Sequence, residues 1–121
     1  MKLTILEPNL QIEFTLKEQL LAARIHKLWL IPLSHILKVS TDVPGKSKRD
    51  IRAPGSFIPG VIKAGTYYTE RGKEFWYVAG KNNSSQVLHI ELADESYQRI
   101  VLNNIENHLE WEQRLNADKR K

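Results

Sequence analysis

The sequence predicts a mainly β domain closed by a C-terminal helix, and three observations lead to that prediction. Apolar residues recur at every second position through most of the chain, which is the period of a half-buried strand. Clusters of glycine, proline, asparagine and aspartate separate these runs, as turn residues do. Beyond Leu102 the apolar spacing lengthens to that of a helix, so the last element differs from the rest.

Length and composition indicate an ordinary globular chain. Its 121 residues and 14.0 kDa suit a single domain over residues 1–121. The absence of cysteine excludes disulfides and thiolate metal sites. The N-terminal residues do not resemble a signal peptide, because an acidic residue and a proline interrupt them. No apolar run approaches the roughly 20 residues that cross a bilayer, so we expect a cytoplasmic protein.

The first elements are two short strands and a helix. The strands carry their apolar residues at Leu3 and Ile5 and at Leu10, Ile12 and Phe14. A capping box follows, in which the Thr15 and Glu18 side chains each bond the other residue's backbone N–H. The spacing of Leu16, Leu20 and Ala23 predicts a helix over Leu16 to Arg24, with these three residues facing the core.

Strand character returns at Leu28 and, after an irregularity near Pro32–Ser34, continues to Val39. Trp29, Ile31 and Leu33 share one face, and we expect Pro32 at an edge or bulge because proline lacks a ladder donor. Residues 40–60 are crowded with turn residues, including three Pro-Gly pairs, and are predicted to form the longest loop.

Two hairpins and a helix complete the chain. The first hairpin joins Val61–Thr69 to Glu74–Ala79 through a turn at 70–73, in which Gly72 takes a positive φ. The second joins Gln86–Leu92 to Ser96–Leu102. The final helix spans about 104–118 with Asn103 or Asn104 as its cap, and the tail at 119–121 frays. Its predicted apolar stripe is Ile105, His108, Leu109, Trp111 and Leu115.

About seven strands, a short helix after the second and a terminal helix must fold over themselves to bury their apolar faces. This order resembles the pleckstrin-homology fold, a bent antiparallel sandwich or partial barrel with a C-terminal helix. The stretches IPLSHI, IRAPGSFIPGVIKAGTYYTERGKEFWYV, VLHIEL and YQRIVL are similar to small bacterial proteins of that fold, most without assigned function. The resemblance spans roughly Leu10 to Leu115.

The resemblance implies no lipid site in the first loop. Eukaryotic relatives often bind phosphoinositides through basic residues between their first two strands. That loop here is Glu7-Pro8-Asn9, which holds no basic residue. The relatives' lipid-binding residues therefore have no counterpart at this position.

No motif assembles a catalytic site, so we expect no enzyme, no catalytic residue, no cofactor and no metal. Residues 60–67 imitate a phosphate-binding loop, but Thr66 stands where the lysine belongs and a β-rich run follows instead of a helix. The four histidines lack metal-ligand spacing. Ser34 and His35 are adjacent and point to opposite faces of a strand, so they cannot pair. His89 should point away from the core and lie near Glu91.

Two groups of residues are candidates for binding a partner. The basic group, in the 46–52 loop, is Lys46, Lys48, Arg49 and Arg52. Such a loop attracts anionic lipid headgroups, although lysines of this kind are often only solvated. The aromatic group lies on the first hairpin and comprises Tyr67, Tyr68, Trp76 and Tyr77. Because the rings are consecutive, both faces of the hairpin carry them, and one face is free for a partner unless the short helix covers it.

We therefore expect a non-catalytic interaction module. The leading hypothesis is protein binding or self-association through an exposed strand edge or aromatic sheet face. The alternative is peripheral binding of anionic lipid through the 46–52 loop. Nucleic acid is disfavoured as a partner, because no ribonucleoprotein motif accompanies the aromatic residues.

Overall fold

The computed structural model describes residues 1–41, 51–58, 62–69, 72–79 and 86–118, with the backbone alone at 51–58, 62 and 118. These residues form nine strands, two α-helices and a 3-10 turn at Leu33–His35. The strands are β1 (Lys2–Leu6), β2 (Asn9–Glu13), β3 (Leu28–Pro32), β4 (Ile36–Ser40), β5 (Ile51–Ile58), β6 (Ile62–Thr69), β7 (Gly72–Ala79), β8 (Leu88–Leu92) and β9 (Arg99–Leu102). The helices are α1 (Leu16–Leu21) and α2 (His108–Asp118).

The strands form two sheets that share one core. The first sheet has the order β1-β2-β3 and the second the order β4-β8-β9-β7-β6-β5. All pairs are antiparallel except β7 and β9. The main core draws on both sheets and on α2, and its fully buried residues include Leu10, Ile31, Leu88, Ile100 and Leu115. The prediction of a mainly β fold with a C-terminal helix is thus confirmed.

The described residues hold two more strands than the seven predicted. The predicted strand from Leu28 to Val39 is two strands, because the turn at Leu33–His35 moves the chain from one sheet to the other. Pro32 ends β3, as expected of a residue without a ladder donor.

The second additional strand is β5, so the predicted loop over 40–60 is wrong for residues 51–58. The strand tolerates Pro54 and Gly55 because it lies at the sheet edge, and its pairing with β6 shifts register between Arg52 and Gly55. Lys46, Lys48 and Arg49 lie outside the described residues.

Helix α1 has the predicted capping box. The Glu18 N–H donates to Thr15 Oγ1 at 3.2 Å, and the Thr15 N–H donates to Glu18 Oε1 at 2.7 Å. The helix ends at Leu21 rather than at Arg24, since Ala23 adopts a φ of 52°. The predicted inward face is also wrong: Leu16 and Leu20 are 72% and 73% exposed.

Helix α2 begins four residues later than predicted. Asn104 and Asn107 have φ values of 55° and 59°, which keep the preceding residues out of a helix. Asn103 caps no helix, because its amide bonds the backbone of Ala79. Of the predicted stripe, Leu115 is buried and Trp111 packs against the core, but Leu109 is exposed.

Candidate functional site

Arg52 is the one predicted basic residue that lies within the described residues. It is part of β5 and stands opposite Tyr67 of β6. The expectation that it projects from a loop is therefore wrong for Arg52, because its backbone belongs to a sheet.

The predicted aromatic residues divide into three buried rings and one exposed ring. Tyr67, Trp76 and Tyr77 are buried, whereas Tyr68 is 48% exposed. Tyr77 faces the main core, while Tyr67 and Trp76 lie on the opposite face of the second sheet. A continuous aromatic surface on this hairpin is thus not available to a partner, and Tyr68 alone of the four is open to solvent.

A second, smaller core accounts for the burial of Tyr67 and Trp76. Both rings pack with valines of β7 and β9 and with Val87. Lys63 Nζ lies 3.8 Å from the centroid of Trp76 and 4.4 Å from that of Tyr67. A lysine over the two rings provides cation–π contacts on this face.

Next to these rings lies a buried carboxylate, Glu74, which is 1% exposed. Its Oε1 accepts a hydrogen bond of 3.0 Å from Trp76 Nε1, and Arg99 Nη1 lies 3.7 Å from its Oε2. Arg99 also reaches Glu91 at 3.8 Å. Arg99 is shared by the two carboxylates, and Thr69 Oγ1 donates to Glu74 Oε2 at 3.3 Å, so the arrangement is that of a structural ion-pair network.

His89 lies on the same face, away from Leu88 and Ile90, as predicted. Its Nδ1 is 3.3 Å from Ser40 Oγ, and its buried Nε2 has no hydrogen-bond partner among the described residues. Burial lowers the pKa of His89 to about 4, and the charge of Arg99 adds to the effect. His89 is therefore neutral at pH 7, with Glu91 and Glu74 opposing the shift only in part.

The other motifs considered as catalytic, phosphate-binding or metal-binding sites are not assembled in the described residues. His35 pairs with Glu95, its Nδ1 2.5 Å from Oε2, and not with Ser34. Residues 62–69 form a strand, whereas a phosphate-binding loop leads into a helix. In the described part of the chain, no three His, Asp or Glu side chains come together as metal ligands.

Tyr77 borders an open depression of about 350 Å³ near α1. Thr15, Glu18, Asn103 and Asn104 line it as well. Burial raises the pKa of the Tyr77 hydroxyl, and the Glu18 carboxylate raises it further, so this phenol stays protonated. The depression offers hydrogen-bonding groups but no activated nucleophile.

A cluster that the sequence did not predict forms around Arg24, directly after α1. The guanidinium Cζ lies 4.3 Å from the centroid of Trp29 and 5.0 Å from that of Phe14. Trp29 contacts Phe75 and Tyr97 edge to face, with centroids 5.4 and 5.0 Å apart. We call Arg24, these four rings and Lys73, which lies 4.4 Å from the Tyr97 ring, the Arg24 cluster.

Among the described residues, the same region holds most of the large aliphatic side chains that are exposed to solvent. Between residues 16 and 30 they number five: Leu16 (72%), Leu20 (73%), Ile25 (89%), Leu28 (48%) and Leu30 (52%). We call residues 16–30 the α1–β3 segment. Sequence alone could have indicated Leu28 and Leu30, because they alternate with Trp29 and Ile31 and must face outward when those residues face the core.

No protein-family model matches this chain, and neither the curated proteins nor the solved structures contain a match. In the described ranges, no helix is long and apolar enough to cross a membrane.

Proposed function

We propose that this chain is a non-catalytic interaction module, with a pleckstrin-homology-like fold, that binds another protein through edge strand β3. The fold proposal is supported by two sheets around a shared core and by the helix that packs on it. The proposed function depends chiefly on one observation: β3 ends its sheet and exposes two leucines.

The two sides of β3 are both apolar. Ile31 is fully buried and Trp29 packs against the core, whereas Leu28 and Leu30 point away from it and are about half exposed. Within the described residues β3 pairs with β2 alone, so its other edge offers backbone donors and acceptors. An apolar edge strand of this kind is a template for pairing with another chain. Pro32 limits such pairing to Leu28–Ile31.

The rest of the α1–β3 segment exposes three more aliphatic side chains. Leu16 and Leu20 lie one turn apart on α1, and Ile25 follows its end. Solitary exposed aliphatic residues are ordinary on a protein surface, but five within fifteen residues are typical of an interaction site. The aromatic hairpin contributes less to this proposal, since three of its four rings are buried.

The test replaces Leu28 and Leu30 together with lysine. The doubly altered protein should lose self-association in sedimentation equilibrium, or lose a partner that the unaltered protein captures from cells, because charges on an edge strand oppose pairing. Leu37→Lys and Leu109→Lys are matched controls, since these leucines are equally exposed on other elements. Association that survives in the double variant while its melting temperature is unchanged would exclude β3 as the contact.

Binding of anionic lipid through Lys46, Lys48, Arg49 and Arg52 remains the alternative. It is tested by sedimentation with anionic and neutral vesicles over a range of salt concentrations. Reversal of Lys46, Lys48 and Arg49 to glutamate should abolish lipid binding but leave protein association intact. Salt-sensitive vesicle binding that the reversal abolishes, together with unaltered association in the β3 variant, would favour the alternative.

A further inference from the structure

Among the described residues, none neutralises the charge of Arg24. Its Nε is buried without a hydrogen-bond partner, and among the described residues no carboxylate forms an ion pair with its guanidinium. The nearest acids along the chain are otherwise engaged: Glu13 pairs with Lys27 at 3.4 Å, and Glu18 completes the capping box. A partly buried cation is costly unless it is paired, and ring faces compensate only in part.

The surroundings hold Arg24 in place. Its backbone N–H donates to the Gln19 carbonyl at 2.8 Å, and Gln19 Nε2 donates to the Ile25 carbonyl at 3.0 Å. The rings of Phe14 and Trp29 then confine the side chain. Burial lowers the pKa of the Arg24 guanidinium, although it stays protonated at neutral pH. A guanidinium positioned in this way is preorganised to bind an anion.

Trp29 and Tyr97 form a row of rings next to Arg24, and a second cation, Lys73, lies at the far end of that row. Lys73 Nζ contacts the Tyr97 ring at 4.4 Å, and that ring is 5.0 Å from Trp29. In the described part of the chain, Lys73 also has no carboxylate partner. The exposed ring of Tyr68 stands opposite Lys73 in the ladder between β6 and β7. The row thus has a cation at each end and aromatic surface between them.

We propose that Arg24 and Lys73 bind carboxylates of an acidic peptide segment in the protein that docks on the α1–β3 segment. This inference rests on the proposed function for the source of the carboxylates. A planar guanidinium matches a carboxylate through two parallel hydrogen bonds. The adjoining Ile25 and Leu28 are exposed, so the segment that fits carries aliphatic residues beside its acids. Charge complementarity therefore favours an acidic, leucine-rich peptide.

A peptide accounts for the site better than a membrane surface does. Lipid headgroups are bound well by flexible lysines, whereas Arg24 is fixed between rings. Vesicle binding is accordingly an outcome that counts against the proposal.

The first experiment titrates the whole chain with sodium acetate and, at equal ionic strength, with sodium chloride. The Arg24 Nε–H and Trp29 indole N–H resonances should shift saturably with acetate and not with chloride. Arg24→Gln should abolish this shift, and Lys38→Gln, which removes an exposed lysine on β4, should leave it intact. The main result is the acetate response of the unaltered protein, so the test is decisive even if Arg24→Gln folds poorly. Equal responses to acetate and chloride would overturn the site.

The second experiment identifies the ligand class with a capped five-residue peptide in which glutamates alternate with leucines. Its glutamine counterpart is the control, and vesicles of phosphatidylcholine with and without phosphatidylserine form a separate arm. The glutamate peptide should bind and compete with acetate, and the counterpart should not. Arg24-dependent binding to phosphatidylserine without binding of the peptide would overturn the peptide assignment.

The anion site and the proposed association through β3 can be tested independently. The variant with lysine at positions 28 and 30 should keep its acetate response even though its association is lost. A chain that associates through β3 but responds to neither acetate nor the peptide would overturn the anion site and leave the proposed function standing.

Discussion

Asn116 of α2 forms both of its amide hydrogen bonds with the backbone of one residue, Val39 of β4. Its Oδ1 accepts from the Val39 N–H at 3.0 Å, and its Nδ2 donates to the Val39 carbonyl at 2.8 Å. The side chain thus imitates a neighbouring strand at the free edge of the larger sheet. With Leu115 buried beside it, this contact fixes where the terminal helix lies.

Removing that amide should destabilise the fold. Asn116→Ala leaves the outward N–H and carbonyl of Val39 without protein partners, which we expect to cost about 1–3 kcal/mol in the free energy of unfolding. Gln113→Ala is the control, because Gln113 lies on the exposed side of the same helix. Urea unfolding of both variants measures the difference. Equal stabilities would show that the docking of α2 does not depend on this amide.

The Glu74 network should behave as a buried ion pair. Glu74→Ala leaves the Trp76 indole N–H without its acceptor and Arg99 with the more exposed Glu91 alone, and breaking a buried pair costs roughly 3–5 kcal/mol. Glu91→Ala removes the other, more exposed partner of Arg99 and should cost less than about 1 kcal/mol. Thermal and urea unfolding of the two variants provide the measurement. A smaller loss for Glu74→Ala than for Glu91→Ala would contradict this account.

What could be predicted from the sequence was mostly local. The capping box of Thr15 and Glu18 was correct because both bonds join residues three apart. The outward direction of His89 followed from strand alternation alone. Both helices are shorter than predicted, because Ala23 and Asn104 adopt positive φ values although neither is a glycine.

The errors in the prediction come from contacts between distant residues. Strand β5 contains a proline and a glycine that favour a loop, but pairing with β6 at a sheet edge makes the strand possible. The Arg24 cluster could not be foreseen, since its rings come from the residue after β2, from β3 and β7, and from the segment before β9. Leu16 and Leu20 have helical spacing that indicates a buried stripe, yet the helix turns them to solvent.

Gly72 is required for two separable reasons. Its φ of 121° is disfavoured for any residue with a side chain, and a Cβ there would lie 2.6 Å from Gln98 Cγ. We expect the backbone strain in Gly72→Ala to lower the free energy of unfolding by about 1–3 kcal/mol, and the clash with Gln98 to lower it further. In a double-mutant cycle, Gln98→Ala should restore only the part of the free energy that the clash removes. Full recovery would mean that the backbone conformation costs nothing.

His89 should make stability fall in acid. Its pKa is lowered to about 4 in the folded protein from an ordinary value of 6.5, so the unfolded chain binds a proton first as pH drops. The stability that the neutral His89 ring contributes is fully present above the pKa of the unfolded chain and is lost as pH falls from about 6.5 to about 4. A shift of this size corresponds to at most about 3 kcal/mol, since each pKa unit is worth 1.36 kcal/mol.

His89→Gln removes this titration while keeping a neutral polar side chain beside Ser40. Because carboxylates titrate in the same range, the quantity to compare is the loss of unfolding free energy between about pH 7 and about pH 4.5 in the two proteins. The unaltered protein should lose more, by as much as about 2–3 kcal/mol. Titration of the His89 ring protons by NMR reports the pKa directly. A value near 6.5 there, with parallel stability curves, would mean that the ring is solvated and not buried against Arg99.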